Sequence, residues 1–231
     1  MIIQFSSLLE GAKNAEGTAV IIDVFRAFTT APILFSKGAK KLIFVSEISE
    51  AIELKKQGVG EICVGEVDGI KPKDFDFGNS PYEIFNADVQ NKTIIQSTRA
   101  GTVGVMAAQN ASKIYVASLV NASATAEAIK KSNPQLVSLI AMGWSGKDRT
   151  DEDEICAMYI RNMLLGLKPK TSPIRELILD SYEAQKFSDP NQPHFHPMDL
   201  EIALRINLFD FAISVEKNNE GLMQAFPEYS R

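Results

Sequence analysis

The sequence predicts an α/β fold, a three-layer α/β/α arrangement around a largely parallel or mixed sheet. Two observations carry this. Through the first 150 residues, apolar runs rich in Val and Ile alternate with amphipathic segments, the pattern of successive βαβ units. Several of those segments also stop at Gly38, Gly58 or the Asn133–Pro134 pair, residues that end helices.

Taken in order, strands are predicted at 18–23, 41–46, 61–65, 92–97, 113–118 and 136–142, each a short apolar run bounded by polar or turn residues. Helices are predicted near 29–37, 48–57, 102–110 and 121–131. Beyond 150 come helices at 151–166 and 173–186, a Pro-rich loop SDPNQPHFHP at 188–197, and a helix from about 198. The tail FDFAISVEKNNEGLMQAF adds a short strand. No linker or low-complexity segment interrupts the chain. Residues 1–231 therefore form a single α/β domain, or two closely packed lobes with a boundary near 145–170.

Composition narrows the function classes. The 231 residues are 45% hydrophobic and 23% charged, ordinary for a soluble globular chain. A net charge of -5 without a basic cluster argues against nucleic acid or an anionic membrane as partner. The opening MIIQFSSLLEGAK lacks the basic region and apolar core of a signal peptide. Cys63 and Cys156, far apart and in apolar contexts, are expected to be buried free thiols in a cytoplasmic protein. A symmetric homodimer is the default assembly.

The stretch VIIDVFRAFTT at 20–30 places Asp23 and Arg26 where a core strand ends. In open α/β sheets ligands bind beyond the carboxyl ends of strands, and helices starting there favour anions. Thr29 or Thr30 is expected to cap the helix containing Pro32, and Arg26 offers a planar donor fork for phosphate or carboxylate. The segment 94–103, IIQSTRAGTV, matches 21–30 at five of ten positions without gaps, including Arg99 with Arg26 and Thr102 with Thr29. Thr98, Arg99 and Thr102 repeat the arrangement, and Gly101 permits close backbone approach. Two such turns on one sheet edge predict an anion site; the alternative is that each Arg is structural and pairs with a nearby carboxylate.

Acidic groups come from TDEDEICAMYI. At about 100° per residue, Glu152 falls on the apolar face with Ile155, Cys156, Tyr159 and Met163, so its carboxylate must find a cation. Thr150 and Asp153 resemble a helix cap. A hard divalent ion such as Mg²⁺, held by one or two carboxylates and substrate phosphate, would satisfy Glu152. Glu66 in GEVDG sits at a strand end as a further ligand or a solvent-facing acid. Asn79 and Ser80 in FGNSP either donate to an anion or cap the helix at 81–86, and Asn121 carries the same two readings. Trp144 covers the site or fills core. His194 and His196, as i, i+2 neighbours, read as surface-loop residues, with metal binding as the alternative. Phosphatase signatures based on D-x-D fail because Phe25 stands two residues after Asp23, and Cys156 to Arg161 is one residue short of a cysteine-phosphatase loop.

Taken together, DVFRAFTT, GEVDG, FGNSP, STRAGT, LVNASAT and the run Glu152–Ala157 resemble the 2-phosphosulfolactate phosphatase, or ComB, family. The motifs appear in the family's order over residues 19–160, and the region around Asp210 resembles its C-terminal end. The turn STRAGT is less Asn-Gly-rich than the family's, and Phe25 and Phe28 replace smaller or aliphatic residues. The resemblance implies a ComB-like α/β fold and a Mg²⁺-dependent phosphoric monoester hydrolase of coenzyme M biosynthesis, taking 2-phosphosulfolactate to sulfolactate. On that footing Arg26, Arg99 and helix N-termini hold a small anionic phosphorylated substrate, with Thr29, Thr30, Asn79, Ser80, Thr98, Gly101, Thr102 and Asn121 around it. Glu152 and Asp153, with Asp23 or Glu66, hold the metal. Asp23 is a metal ligand, a nucleophile, or the partner of Arg26. The alternatives are a phosphatase for another phosphorylated hydroxy acid, or a non-catalytic anion-binding protein.

Overall fold

The computed structural model describes residues 1–229. The chain opens with β1 (Ile2–Ser7) and α1 (Leu8–Lys13), then β2 (Gly17–Ile22), α2 (Ala27–Ser36), β3 (Lys41–Val45), α3 (Ile48–Lys56) and β4 (Ile62–Gly65). After α4 (Pro81–Phe85) follow β5 (Thr93–Ser97), α5 (Gly101–Ala107), β6 (Ala111–Ala117), α6 (Ala122–Ser132), β7 (Leu136–Ala141) and α7 (Asp151–Leu164). The chain continues through α8 (Ser172–Leu179), α9 (Tyr182–Gln185), α10 (Pro197–Ala203), β8 (Phe211–Lys217) and β9 (Met223–Tyr229). No helix among the described residues is long and apolar enough to cross a membrane.

Among the described residues nine strands form one mixed sheet in the order β1-β7-β2-β6-β8-β9-β3-β5-β4. Strands β1, β7, β2 and β6 form one parallel block, and β3, β5 and β4 a second. Between the blocks lies the β8–β9 hairpin, antiparallel to β6 on one side and β3 on the other. The two blocks exchange strands: β2 leads through α2 to β3 in the far block, and β5 leads through α5 to β6 in the near one. This accounts for the echo between 21–30 and 94–103, because β2 and β5 hold equivalent places in two interlocked units. Nine strands twisting by roughly 20–25° each cannot lie flat. In the curved sheet the turns following β2 and β5 meet, with the Gly101 N–H donating to Asp23 Oδ2 at 2.8 Å.

The period of two along each strand divides the core into layers. Ile21, Phe44, Ile94 and Val116 face the layer of α2 and α5, which spans both blocks. On the opposite face Val20, Ile22, Tyr115 and Leu139 pack on α6 and α7, while Ile43, Val45 and Ile95 pack on α3. Helices on both faces give the three-layer α/β/α arrangement. Cys63 and Cys156 are buried and free, in separate clusters.

Several sequence expectations need correction. The segment 173–186 is two helices, α8 and α9, because the Ser181 hydroxyl accepts the Ala184 N–H and starts a new turn. The tail holds two strands rather than one, joined at Asn218, whose Oδ1 accepts the N–H groups of Glu220 and Leu222. The six-residue edge strand β1 and the short α1 carry too little periodicity to be read from sequence. Helix α2 begins at Ala27 rather than Thr29, so neither threonine caps it. Thr29 donates instead to Val24 O and Thr30 to Asn79 O.

Candidate active site

The turn after β2 is built around Asp23. Its Oδ1 accepts the N–H of Ala27 at 3.0 Å and its Oδ2 that of Gly101, so one carboxylate tops the first residues of both α2 and α5. Gln96, at the echoing position on β5, reaches back with Nε2 to Ala27 O at 3.0 Å. Only one of the two copies therefore carries a carboxylate at this position. Burial pushes the Asp23 carboxyl up to about 7; the Ala27 N–H opposes this and the neighbouring Glu66 carboxylate adds to it. Asp23 is not the partner of Arg26, which finds a different carboxylate.

A Cβ on Gly101 would lie 2.8 Å from Ala27 Cβ and 2.8 Å from Asp23 Oδ2, so the close approach of the two turns requires glycine. Gly101→Ala is expected to cost about 1–3 kcal/mol of stability by overpacking, read from denaturant midpoints. An unchanged midpoint would show that the turns have room to part.

A small cleft opens at this meeting point, lined by Asp23, Phe25, Arg26, Glu66, Asn79, Arg99, Trp144 and Phe195 among others. Glu66 fastens its floor: Oε1 accepts the Arg99 N–H at 2.8 Å and Oε2 the Gly69 N–H at 2.7 Å. The Arg99 guanidinium donates through Nη2 to Ser46 O, while its buried Nε has no partner among the described residues. Asn79 Oδ1 is likewise buried without a partner among them.

Arg26 is placed differently from its echo. Both its terminal nitrogens are taken by protein acceptors: Nη1 by Asp199 Oδ2 and His194 O, each at 2.8 Å, and Nη2 by Gly69 O at 3.1 Å. The pair with Asp199 is 2% and 0% exposed. The structural alternative for this arginine therefore describes its terminal nitrogens, and Arg99 is the one of the two with a buried donor left unpartnered among the described residues.

The remaining predicted residues lie around the cleft rather than in it. Thr98 and Thr102 bond each other's side chains and N–H groups and close the turn before α5. Ser80 caps α4 by accepting the Glu83 N–H and donates to Asp199 Oδ1. Asn121 Oδ1 accepts the Ser118 N–H beside β6. Asp153 does not pair with Thr150 in a cap; its two oxygens accept the N–H groups of Val24 and Gly143 at 2.7 and 2.8 Å, tying α7 to the turns after β2 and β7. Glu152 is buried as its helical position predicts, with Oε2 unpartnered among the described residues. Burial raises its carboxyl to about 8, with Glu183 and Asp23 contributing. Asp153 is pushed up as well, by burial and then by Glu152 and Asp23.

Sequence reasoning missed the Pro-rich segment. Phe195 is buried over the cleft, 6.2 Å between ring centroids from Trp144, and His196 Nδ1 caps α10 by accepting the Met198 N–H. The signal available was His196-Pro197 followed by Asp199, a helix start carrying an acid.

Among the described residues no three His, Cys, Asp or Glu side chains converge as a ready-made metal cage. Asp23 and Glu66 nevertheless present hard oxygen donors to the same cleft. Mg²⁺ commonly takes one or two carboxylates and completes its shell with water and substrate phosphate, so this pair fits that ion.

The family model described as 2-phosphosulpholactate phosphatase matches residues 5–192. The chain belongs to that family. It is 33% identical over 204 residues to the "Probable 2-phosphosulfolactate phosphatase" of Bacillus subtilis, covering 87% of this chain and 88% of that protein. Proteins of the same name from Thermoplasma volcanium and Carboxydothermus hydrogenoformans are 32% and 34% identical, over 86% and 87% of this chain and 89% and 87% of theirs. The family match takes in every cleft residue named above except Phe195.

Proposed function

We propose that this protein is a Mg²⁺-dependent phosphatase that hydrolyses 2-phosphosulfolactate to sulfolactate and phosphate. Family membership supports the reaction class. The observation that carries the site is Arg99, whose buried Nε lacks an acceptor in a cleft that also holds two carboxylates. A buried donor without a partner costs free energy that a bound anion recovers. Phosphoryl transfer asks for positioning and charge stabilisation, and a fixed guanidinium supplies both.

Arg99 thus receives the phosphoryl oxygens, with the Asn79 amide as a second polar contact. Asp23 and Glu66 would hold Mg²⁺, which when bound neutralises phosphate charge and acidifies a coordinated water. Asp23 is fixed by one N–H donor on each oxygen, which suits alignment and leaves each oxygen a lone pair for a metal or for attack on phosphorus. Phe25, Trp144 and Phe195 form apolar walls that lower the local dielectric and strengthen the charged contacts. Asp153 serves by holding the Val24 and Gly143 turns in place.

Phosphate release from 2-phosphosulfolactate and a panel of phosphorylated hydroxy acids, with Mg²⁺ and then with EDTA, tests this. Release with 2-phosphosulfolactate as the best substrate, abolished by EDTA, is the expected result. Preference for another phosphorylated acid would replace the substrate, release unaffected by EDTA would remove the metal, and no release from any compound would sink the enzyme reading.

A further inference from the structure

We propose that Asp199 is a positioning residue for this reaction, acting through Arg26 to clip segment 186–199 over the cleft and to fix the turn that carries Glu66. The inference rests on the phosphatase reading, and it concerns a residue beyond the stretch that the family model matches.

Asp199 is completely buried near the start of α10. Its Oδ2 takes Arg26 Nη1, and its Oδ1 takes the Ser80 hydroxyl at 2.7 Å and the Tyr82 N–H at 2.9 Å. A buried carboxylate is stable only when its oxygens are compensated in this way. Three chain segments therefore converge on one side chain: the turn after β2, the start of α4, and α10.

From Arg26 the bonds continue into the cleft. Arg26 Nη2 donates to Gly69 O, Gly69 N–H to Glu66 Oε2, and Arg99 N–H to Glu66 Oε1. An unbroken series thus runs from Asp199 to the arginine assigned to phosphate. On its other side Arg26 holds His194 O and lies 4.8 Å from the centre of the Phe195 ring. Phe195 in turn packs on Trp144 and Phe187, and Lys186 Nζ sits 3.8 Å over the Trp144 ring. The clip governs two things at once: the position of Glu66 and Arg99, and the closure of the Phe195–Trp144 wall. An ion pair serving the core alone would touch neither.

Asp199→Asn keeps the shape and removes the charge. In the 231-residue chain with Mg²⁺, KM for 2-phosphosulfolactate is expected to rise roughly ten- to a hundredfold, with a smaller change in kcat. Trp144 is the only tryptophan, so its fluorescence reports the wall; emission should move to longer wavelength and acrylamide quenching should increase. Phe195→Leu, which leaves the ion pair intact, should reproduce the quenching change with a weaker effect on KM, and it decides the matter if Asp199→Asn does not fold. Wild-type KM and wild-type quenching in a folded Asp199→Asn, or in Phe195→Leu if that is the variant that folds, would overturn the proposal. Should the wild type itself release no phosphate, the functional reading fails while Trp144 quenching still decides whether the clip exists.

Discussion

Arg99→Ala is expected to lower kcat/KM for phosphate release by roughly 10²–10³-fold, the size of effect seen when a preorganised donor to developing charge is removed. The expectation follows from what the side chain does and does not touch. Nη2 is satisfied by Ser46 O, Nε is buried and unpartnered among the described residues, and the residue is half-buried on the cleft wall. The backbone N–H that fastens Glu66 survives the substitution, so the turn should keep its shape. Thermal stability should therefore change little while turnover collapses. Arg99→Lys restores a charge but not the planar fork, and should recover only part of the loss. Arg26→Ala should behave differently: it leaves Asp199 buried without its cation, which is costly to the fold itself. Steady-state kinetics beside melting curves for both variants separate the roles. Wild-type turnover in Arg99→Ala would remove the anion site.

The contrast between the two arginines marks where sequence reasoning stops. The echo of IIDVFRAFTT in IIQSTRAGTV correctly shows two equivalent strand-to-helix turns, because apolar runs and helix starts are written locally. It also suggests two equivalent anion donors, whereas the two side chains, both lining the cleft, are held differently. What distinguishes Arg26 is Asp199, which lies 173 residues away in the chain. The same limit explains the threonines. The helix containing Pro32 looks capped by Thr29 or Thr30, yet the Ala27 N–H goes to Asp23, and Asp23 also reaches Gly101 across 78 residues. Glu152 is legible because a helical wheel needs only neighbouring residues. The direction of Asp153 toward Val24 and Gly143 is not, since it depends on how α7 meets two separate turns. The central strands are readable from their Val- and Ile-rich runs, but the β8–β9 hairpin enters between the blocks through pairings that no local pattern records.

Metal-free protein should lose stability as pH rises from about 4 to about 8, and added Mg²⁺ should restore the part that comes from Asp23. The sign follows from the buried acids. Asp23 and Glu152 titrate near 3.8 and 4.5 in their ordinary state and are raised to about 7 and about 8 by burial, while Asp153 is also raised. Over that interval the folded state binds more protons than the unfolded one, so stability is fullest below the ordinary values and falls as pH passes through the raised ones. The effect is on the order of a few kcal/mol, because each tenfold change in a carboxyl group's proton affinity is worth about 1.4 kcal/mol. Other groups act elsewhere or oppositely. Burial pulls the Asp76 carboxyl up, but the Lys55 ammonium and the Cys63 N–H hold it below its ordinary value, so its contribution is lost only at more acid pH. His194, lowered by burial and by Arg26, adds a small gain as pH rises through the ordinary histidine range. A divalent cation between Asp23 and Glu66 would offset the cost of ionising Asp23. Its stabilisation by mass action should accordingly be larger at pH 8 than at pH 5. Melting temperatures across this range, in EDTA and in excess Mg²⁺, read both effects without any substrate. A flat profile in EDTA would contradict the buried-acid account, and an absence of Mg²⁺ stabilisation at pH 8 would count against Asp23 and Glu66 as its ligands.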